Sequence, residues 1–454
     1  MKHLYRVVSV LLAFSFLLAA CAAPAAPAAV ATEAAPAVAA ATEAPAATAA
    51  PVAAEPVTLR FAYNWTQGDA KAEYYEGAIK AYQEKHPEVT VVLEGTPGME
   101  HQNKILTDMA GDNLPDLFMY WTGAATLQPL TDNGALLDMS EFVKVSKATK
   151  LDQWNESIFS TSIVDGKTYL LPVESFKGFM IANKVLFKQY NLEYPTTMAE
   201  LESVSKVFVE NGIVPMEMAS KGGNPGHLYF NEIFYQMGGL SGLDSLTETA
   251  VLPESFMKAA EIINQMSADK MFVADTIASG DWGPAVELYN QKKAAMVYCF
   301  PWKIGDIDKT LIPDTEVVAF PKMDGAVLEP SAFEVGGVSM GLAITKKAFN
   351  DPAKQAALVE FADFLVSDEM FTELGKASMI PAKNVKLDPA VLNPIFVAAV
   401  NFNSSKETYD VIWSHIPGTG SQTAYGDFND KLFAGGAAKD VVGELQTVLT
   451  AENK

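Results

Sequence analysis

The sequence predicts an α/β fold whose first part is a parallel sheet, and three observations carry that expectation. Apolar strand runs alternate with helical-period segments from Val57 to Trp121. Aromatic residues stand just past the carboxyl ends of those strands, where open parallel sheets place their ligands. The chain has 454 residues, 49% of them apolar and 19% charged, which suits two or three domains with ample core.

Val57 to Tyr63 reads as a buried strand ending in Asn64-Trp65. Tyr75, Ala78, Ile79 and Tyr82 then recur at i, i+3, i+4 and i+7, a helix that His86-Pro87 stops. Val89, Val91 and Leu93 alternate as a second strand, a helix spans about Met99 to Gly111, and Asp116 to Tyr120 is a third strand opening onto Trp121. This β-α-β-α-β order begins a doubly wound sheet. Further on, Lys167 to Val173 is expected as a strand, Glu174 to Gly178 as a polar break, and Phe179 to Asn183 as the next strand. Thr196-Thr197 caps a helix to Glu210. Helices follow at about 228–237, 253–267 and 281–291, strands at Ala294 to Phe300 and Val317 to Pro321. Val335 to Ile344 is a glycine-loaded strand, and Asp351-Pro352 opens a helix carrying Leu358, Phe361, Ala362 and Leu365 on one face. The remainder reads as helical.

The N-terminus carries export signals. Lys2 and Arg6 precede an apolar run from Val7 to Leu18, too short to span a membrane. Leu18-Ala19-Ala20-Cys21 resembles a bacterial lipobox, which implies lipidation of the Cys21 sulfur and cleavage before it. Residues 1–20 are then a signal peptide, and residues 21–55, almost wholly Ala, Pro, Thr, Val and Glu, a disordered tether. Export to the outer face of the cytoplasmic membrane is expected, at the cell surface or in a periplasm. With Cys21 lipidated, Cys299 has no disulfide partner. A net charge of −22 disfavours nucleic acid and anionic membrane surfaces.

Several segments, in order, resemble the extracellular solute-binding proteins of ABC importers, in particular the carbohydrate-binding, maltose-binding-type family. They are Asn113 to Phe118, Asp165 to Pro172, Ile181 to Phe187, Lys293 to Met296 followed by Trp302, Gly336-Gly337, and Ile380-Pro381-Ala382. Ala182 stands where that family usually has tyrosine, and Lys292 or Lys293 where it usually has glycine. The resemblance implies two lobes, each a mostly parallel sheet flanked by helices, with a sugar captured in the cleft between them by hinge closure and delivered to a membrane permease. It implies one lobe at about 56–173 plus 338–380 and another at 179–330 plus 381–454. Hinges would lie near 174–178, 331–337 and 380–382. A monomer is expected, without cofactor or metal; the five histidines are scattered and the only other cysteine is Cys21.

Within that frame Trp65, Trp121 and Trp302 follow strand ends and could stack on a pyranose or simply fill core. Trp282 is a further candidate, whereas Trp154 reads as structural. Glu174 at the hinge, and Asn64, Gln67 and Asp69 after the first strand, could bond sugar hydroxyls. Gly336 and Gly337 would let backbone approach a ligand or serve as hinge glycines. Tyr425 falls where the family often supplies a cleft aromatic. Other solutes stay open: a polyamine, a polyol phosphate or a peptide. The enzyme alternative is a secreted serine hydrolase, because Gly337-Val338-Ser339-Met340-Gly341 fits G-x-S-x-G and His415 lies downstream of Asp363 and Asp410. Ser339 would nonetheless sit in mid-strand. The glycines of Lys221 to Gly226 resemble a phosphate cradle without its Gly-Lys-Ser/Thr.

Overall fold

The computed structural model describes residues 56–66, 69–154, 156–280, 286–416 and 418–452. The leader, Cys21, the tether, Gln67 and Trp282 lie outside them. Among the described residues no helix is long and apolar enough to cross a membrane.

Two sheets organise the body. The strands are β1 (Val57–Tyr63), β2 (Val89–Gly95), β3 (Leu117–Trp121), β4 (Leu171–Lys177), β5 (Phe179–Asn183), β6 (Val214–Glu217), β7 (Ala294–Cys299), β8 (Thr315–Val318), β9 (Phe333–Ile344), β10 (Ile380–Pro381) and β11 (Glu407–Tyr409). The first sheet runs β10-β4-β9-β3-β1-β2, with β11 also on β9; the second runs β8-β5-β7-β6. The β-α-β-α-β start is present: β1 pairs in parallel with β2 and β3. Helices α1 (Ala70–Lys85) and α2 (Gly98–Ala110) connect them.

The remaining pairings make both sheets mixed. β9 is antiparallel to β3 and β4, and β5 is antiparallel to β7 and β8. The cause is the crossing strands, which run between the sheets and so enter each one without a crossover helix to set them parallel. β4 ends at Lys177 and β5 begins at Phe179, so Gly178 alone separates a strand of one sheet from a strand of the other. The expected break at Glu174 to Gly178 is therefore reduced to one residue, and Lys167-Thr168 belongs instead to a small hairpin with Ile163-Val164. Polar residues continue in a strand here because the neighbouring strands pair its backbone.

β9 makes a second crossing. Phe333 and Val335 pack in a core with β7 and the helix α3 (Gly226–Thr249), while Met340, Leu342 and Ile344 pack in a core with β1 and α1. Helix α3 bends at Gly239, where φ is +56°. Gly336 permits β9 to lie against β4, since a Cβ there would strike the Phe176 carbonyl oxygen. Helix α4 (Pro394–Phe402) covers the second sheet through Ile395, Phe396 and Ala399.

Local chemistry explains the helix ends. Thr197 and Glu200 form a capping box at the start of helix Met198–Glu210. The helix expected from Asp351-Pro352 begins only at Gln355. Ser421, in α5 (Thr419–Phe433), is held from the end of the last helix: Glu452 Oε2 accepts from its N–H at 2.8 Å and from its hydroxyl at 2.6 Å. Trp154 is structural as expected, its indole N–H donating to the Pro172 carbonyl at 2.9 Å. Cys299 is buried and unpaired, and burial pushes its thiol up to about 12.

Candidate ligand site

Alternation along β4 turns Glu174 to the side opposite Ser175. Glu174 is 2% exposed and meets Lys71, whose Nζ lies 3.3 and 3.4 Å from its two carboxylate oxygens. Lys71 is placed by the helix start: Asp69 caps α1 and accepts from the Lys71 N–H at 2.9 Å. Burial pushes the Glu174 carboxyl above its usual range, and the Lys71 ammonium opposes that shift. The same ammonium sits 5.2 Å from the centre of the Trp65 ring, a cation–π contact.

The aromatic candidates separate by exposure. Trp302 opens the turn Pro301–Asp306 after β7, stacks on Phe300 at 5.1 Å and tilts onto Phe176 at 5.4 Å. It remains partly exposed and touches both large cores, joining the two sheets. Trp121 is also partly exposed, with the His101 ring 6.0 Å away. Trp65 is fully buried, so an open stacking platform at that position is corrected: Tyr63 lies stacked at 4.2 Å and Tyr75 is tilted against it at 4.6 Å. Its indole N–H and the Asn64 amide oxygen nevertheless have no bonding partner in the structure.

Gly336 and Gly337 combine close packing with a place in the wall of a cavity, whereas Tyr425 is enclosed. A Cβ on Gly337, where φ is +146°, would stand 3.3 Å from Asp410 Oδ1. Tyr425 is fully buried and donates to Asn231 Oδ1 at 2.9 Å, which places it in the second core rather than on an open surface. Near it, Trp413 is partly exposed and lies 5.4 Å from the His227 ring. His227 is 7% exposed, its Nδ1 has no partner, and desolvation pushes it down to about 3, so it is neutral.

Two alternatives meet direct geometric tests. Gly222 and Gly223 give their N–H groups to the Asp430 carboxylate at 2.8 and 2.6 Å, so the loop resembling a phosphate cradle already holds an internal anion. Ser339 lies inside β9 and its hydroxyl donates to the Glu174 carbonyl at 3.2 Å. No strand-to-helix elbow exposes it. Asp410 and His415 do pair, at 3.1 Å. No group of three His, Cys, Asp or Glu suited to a metal occurs among the described residues.

A cavity of about 510 Å³ opens beside the crossings, lined by Thr161, Ser175, Lys177, Gly337, Asn403 and Asp410 among others. Among the described residues no tryptophan lines it.

The sequence pattern of the bacterial extracellular solute-binding proteins matches residues 64–370. The chain belongs to that family. This bears out the resemblance drawn from the segments between Asn113 and Ala382. The solute-binding protein is 22% identical over 342 residues to the melibiose/raffinose/stachyose-binding protein MelE of Bacillus subtilis (strain 168), covering 72% of this chain and 75% of that one. Its fold matches a chain solved in work on xylan utilization by the thermophilic bacterium Caldanaerobius polysaccharolyticus, with TM-score 0.75 and 24% identity over 86% of this chain and 99% of the other. A chitin oligosaccharide binding protein matches with TM-score 0.75 and 20% identity, over 86% and 98%. The two-lobe architecture follows from these matches.

Proposed function

We propose that this solute-binding protein captures a neutral sugar between its two lobes and delivers it to the permease of an ABC importer, without chemistry on the ligand. The observation that carries this reading is Trp302, a partly exposed indole that touches both cores and stands after the strand next to the crossing. An indole face suits the C–H face of a pyranose, and the buried Glu174–Lys71 pair supplies the charge-assisted partners that hydroxyls use. The names of MelE and of the chitin oligosaccharide binding protein point to the same ligand class. The lobes are taken as 56–173 plus 338–380 and 179–330 plus 381–454, and rotation is assigned to hinges near 174–178, 331–337 and 380–382. The cavity beside the crossings is lined by Phe176, Phe179 and Phe396 but by no tryptophan among the described residues; because an indole presents the larger face to a pyranose, we place the sugar on the Trp302 side.

A thermal-shift panel of neutral mono- and oligosaccharides, beside polyamines, phosphorylated polyols and peptides, tests the assignment. A sugar at about 100 times its Kd is expected to add roughly 2.7 kcal/mol of stability and to change tryptophan fluorescence. Both effects are expected to vanish in Trp302→Ala. A polyamine or phosphate hit in place of a sugar would retain the fold and sink the ligand class.

We also propose that Cys21 carries a lipid anchor. Two or more acyl chains hold a protein stably on a bilayer. Wild-type protein is therefore expected in the membrane fraction and Cys21→Ser in the soluble fraction; co-sedimentation of the variant would refute the anchor.

A further inference from the structure

The crossing at Gly178 is surrounded by buried ionisable groups that the ligand site does not use. Tyr298 Oη, on β7, lies 2.7 Å from Glu232 Oε1 of helix α3 and 3.1 Å from Glu334 Oε1 of β9. Glu232 and Glu334 are each 1% exposed. Glu334 Oε2 receives the Lys406 ammonium at 2.7 Å. Glu232 Oε1 also accepts the Val335 N–H at 2.7 Å, while its Oε2 has no donor. The backbone of the crossing is tied into the same cluster. Gly178 N–H donates to the Val335 carbonyl at 2.9 Å, and the Gly178 carbonyl accepts from Asn403 Nδ2 at 2.8 Å.

We infer that Glu232 and Glu334 hold one proton between them, and that this proton fastens helix α3 to the strand β9 where the chain passes from one sheet to the other. A phenol has one hydrogen to give, and here two carboxyls converge on it. Two carboxylates that meet on one buried phenol oxygen do not both ionise. With one proton the pair bears a single negative charge, which Lys406 balances. Without it, an unpaired carboxylate is buried at the crossing, a costly state.

The surrounding charges agree. From β4, Lys177 reaches the same region, but its Nζ donates to the carbonyls of Asn403 and Lys406 at 3.1 and 2.7 Å rather than to either carboxylate. From α3 the cluster meets Tyr229 and Tyr235, whose hydroxyls are held neutral chiefly by burial. Asp410 stands behind Tyr235, accepting its hydroxyl at the backbone carbonyl. Burial first, then the Glu334 charge, pushes the Glu232 carboxyl well above the usual carboxylate range.

The folded state thus retains a proton that the unfolded chain releases above about pH 4.3. Stability falls as pH rises from there to the folded-state titration of the pair. The test compares urea unfolding of the full chain with that of Glu232→Gln, a neutral isostere, from about pH 5 to about pH 8. The unfolding constant of wild type relative to the variant is expected to rise with pH from the acid end of that window, by about tenfold per pH unit, the slope of one proton, until the folded pair itself titrates. A ratio that does not change with pH overturns the inference. The double variant Glu232→Gln, Glu334→Gln provides the second comparison: it carries no carboxyl at this site to hold the proton, so wild type relative to it must show the same slope, and a flat ratio there overturns the inference equally. Because these curves are measured without ligand, their outcome is separate from that of the sugar assignment.

Discussion

Glu174→Ala is expected to lower the free energy of unfolding by about 3–5 kcal/mol, the cost of leaving one member of a buried ion pair alone. The reason lies in the partner. Lys71 and Glu174 have side chains only 6% and 2% exposed, so removing the carboxylate leaves an ammonium that water does not reach. Its remaining contact, the face of Trp65 at 5.2 Å, offsets a small part of that cost. The double variant Lys71→Met, Glu174→Leu removes both charges and fills similar volume, and it is expected to recover most of the loss. A urea double-mutant cycle measures this directly. If the single change costs less than about 1 kcal/mol, the pair is solvated and is no part of a dry site. Sugar affinity then separates structure from function: the double variant is expected to fold, yet on the proposed function it has lost the groups that bond hydroxyls and is expected to bind at least about tenfold more weakly.

The same pair shows what the sequence could and could not disclose. The β1-α1-β2-α2-β3 start was legible because each element carries its own period, two residues for Val89, Val91 and Leu93 and 3.6 for Tyr75, Ile79 and Tyr82. Glu174 was legible from its place at the expected hinge, just past the segment Asp165 to Pro172. Lys71 was not, because its contact spans 103 residues and no local pattern marks a lysine in a first helical turn as buried. The only available signal was Asp69, whose capping role fixes where the next residues turn. Trp65 exposes the limit of a strand-end argument. Position tells where an indole starts, but Tyr63 and Tyr75 decide that its faces are covered. The expected break at Glu174 to Gly178 failed for a related reason: strand neighbours at Val338 and Ile380 pair this polar stretch, and neither is near it in sequence.

Gly178→Val is expected to destabilise the protein by about 1–3 kcal/mol or more, through overpacking rather than backbone strain. Gly178 is not among the glycines in the left-handed region, so its need for a missing side chain is steric. A Cβ there would run into the Tyr298 hydroxyl and come within 3.1 Å of the ring carbon Cε2. Tyr298 cannot withdraw cheaply, because Glu232 and Glu334 hold its hydroxyl and the rings of Phe300 and Phe320 flank it at 4.9 and 5.6 Å. Gly77 supplies the contrast. It lies on the exposed side of α1 with nothing within 4 Å of an added Cβ, so Gly77→Ala is expected to gain roughly 0.5–1 kcal/mol from helix propensity. Opposite signs at the two positions would show that the crossing is closed around its single glycine by packed side chains. Equal and small effects would show that Tyr298 yields, and the proton-holding cluster would then lack the rigid frame that presses its two carboxyls together.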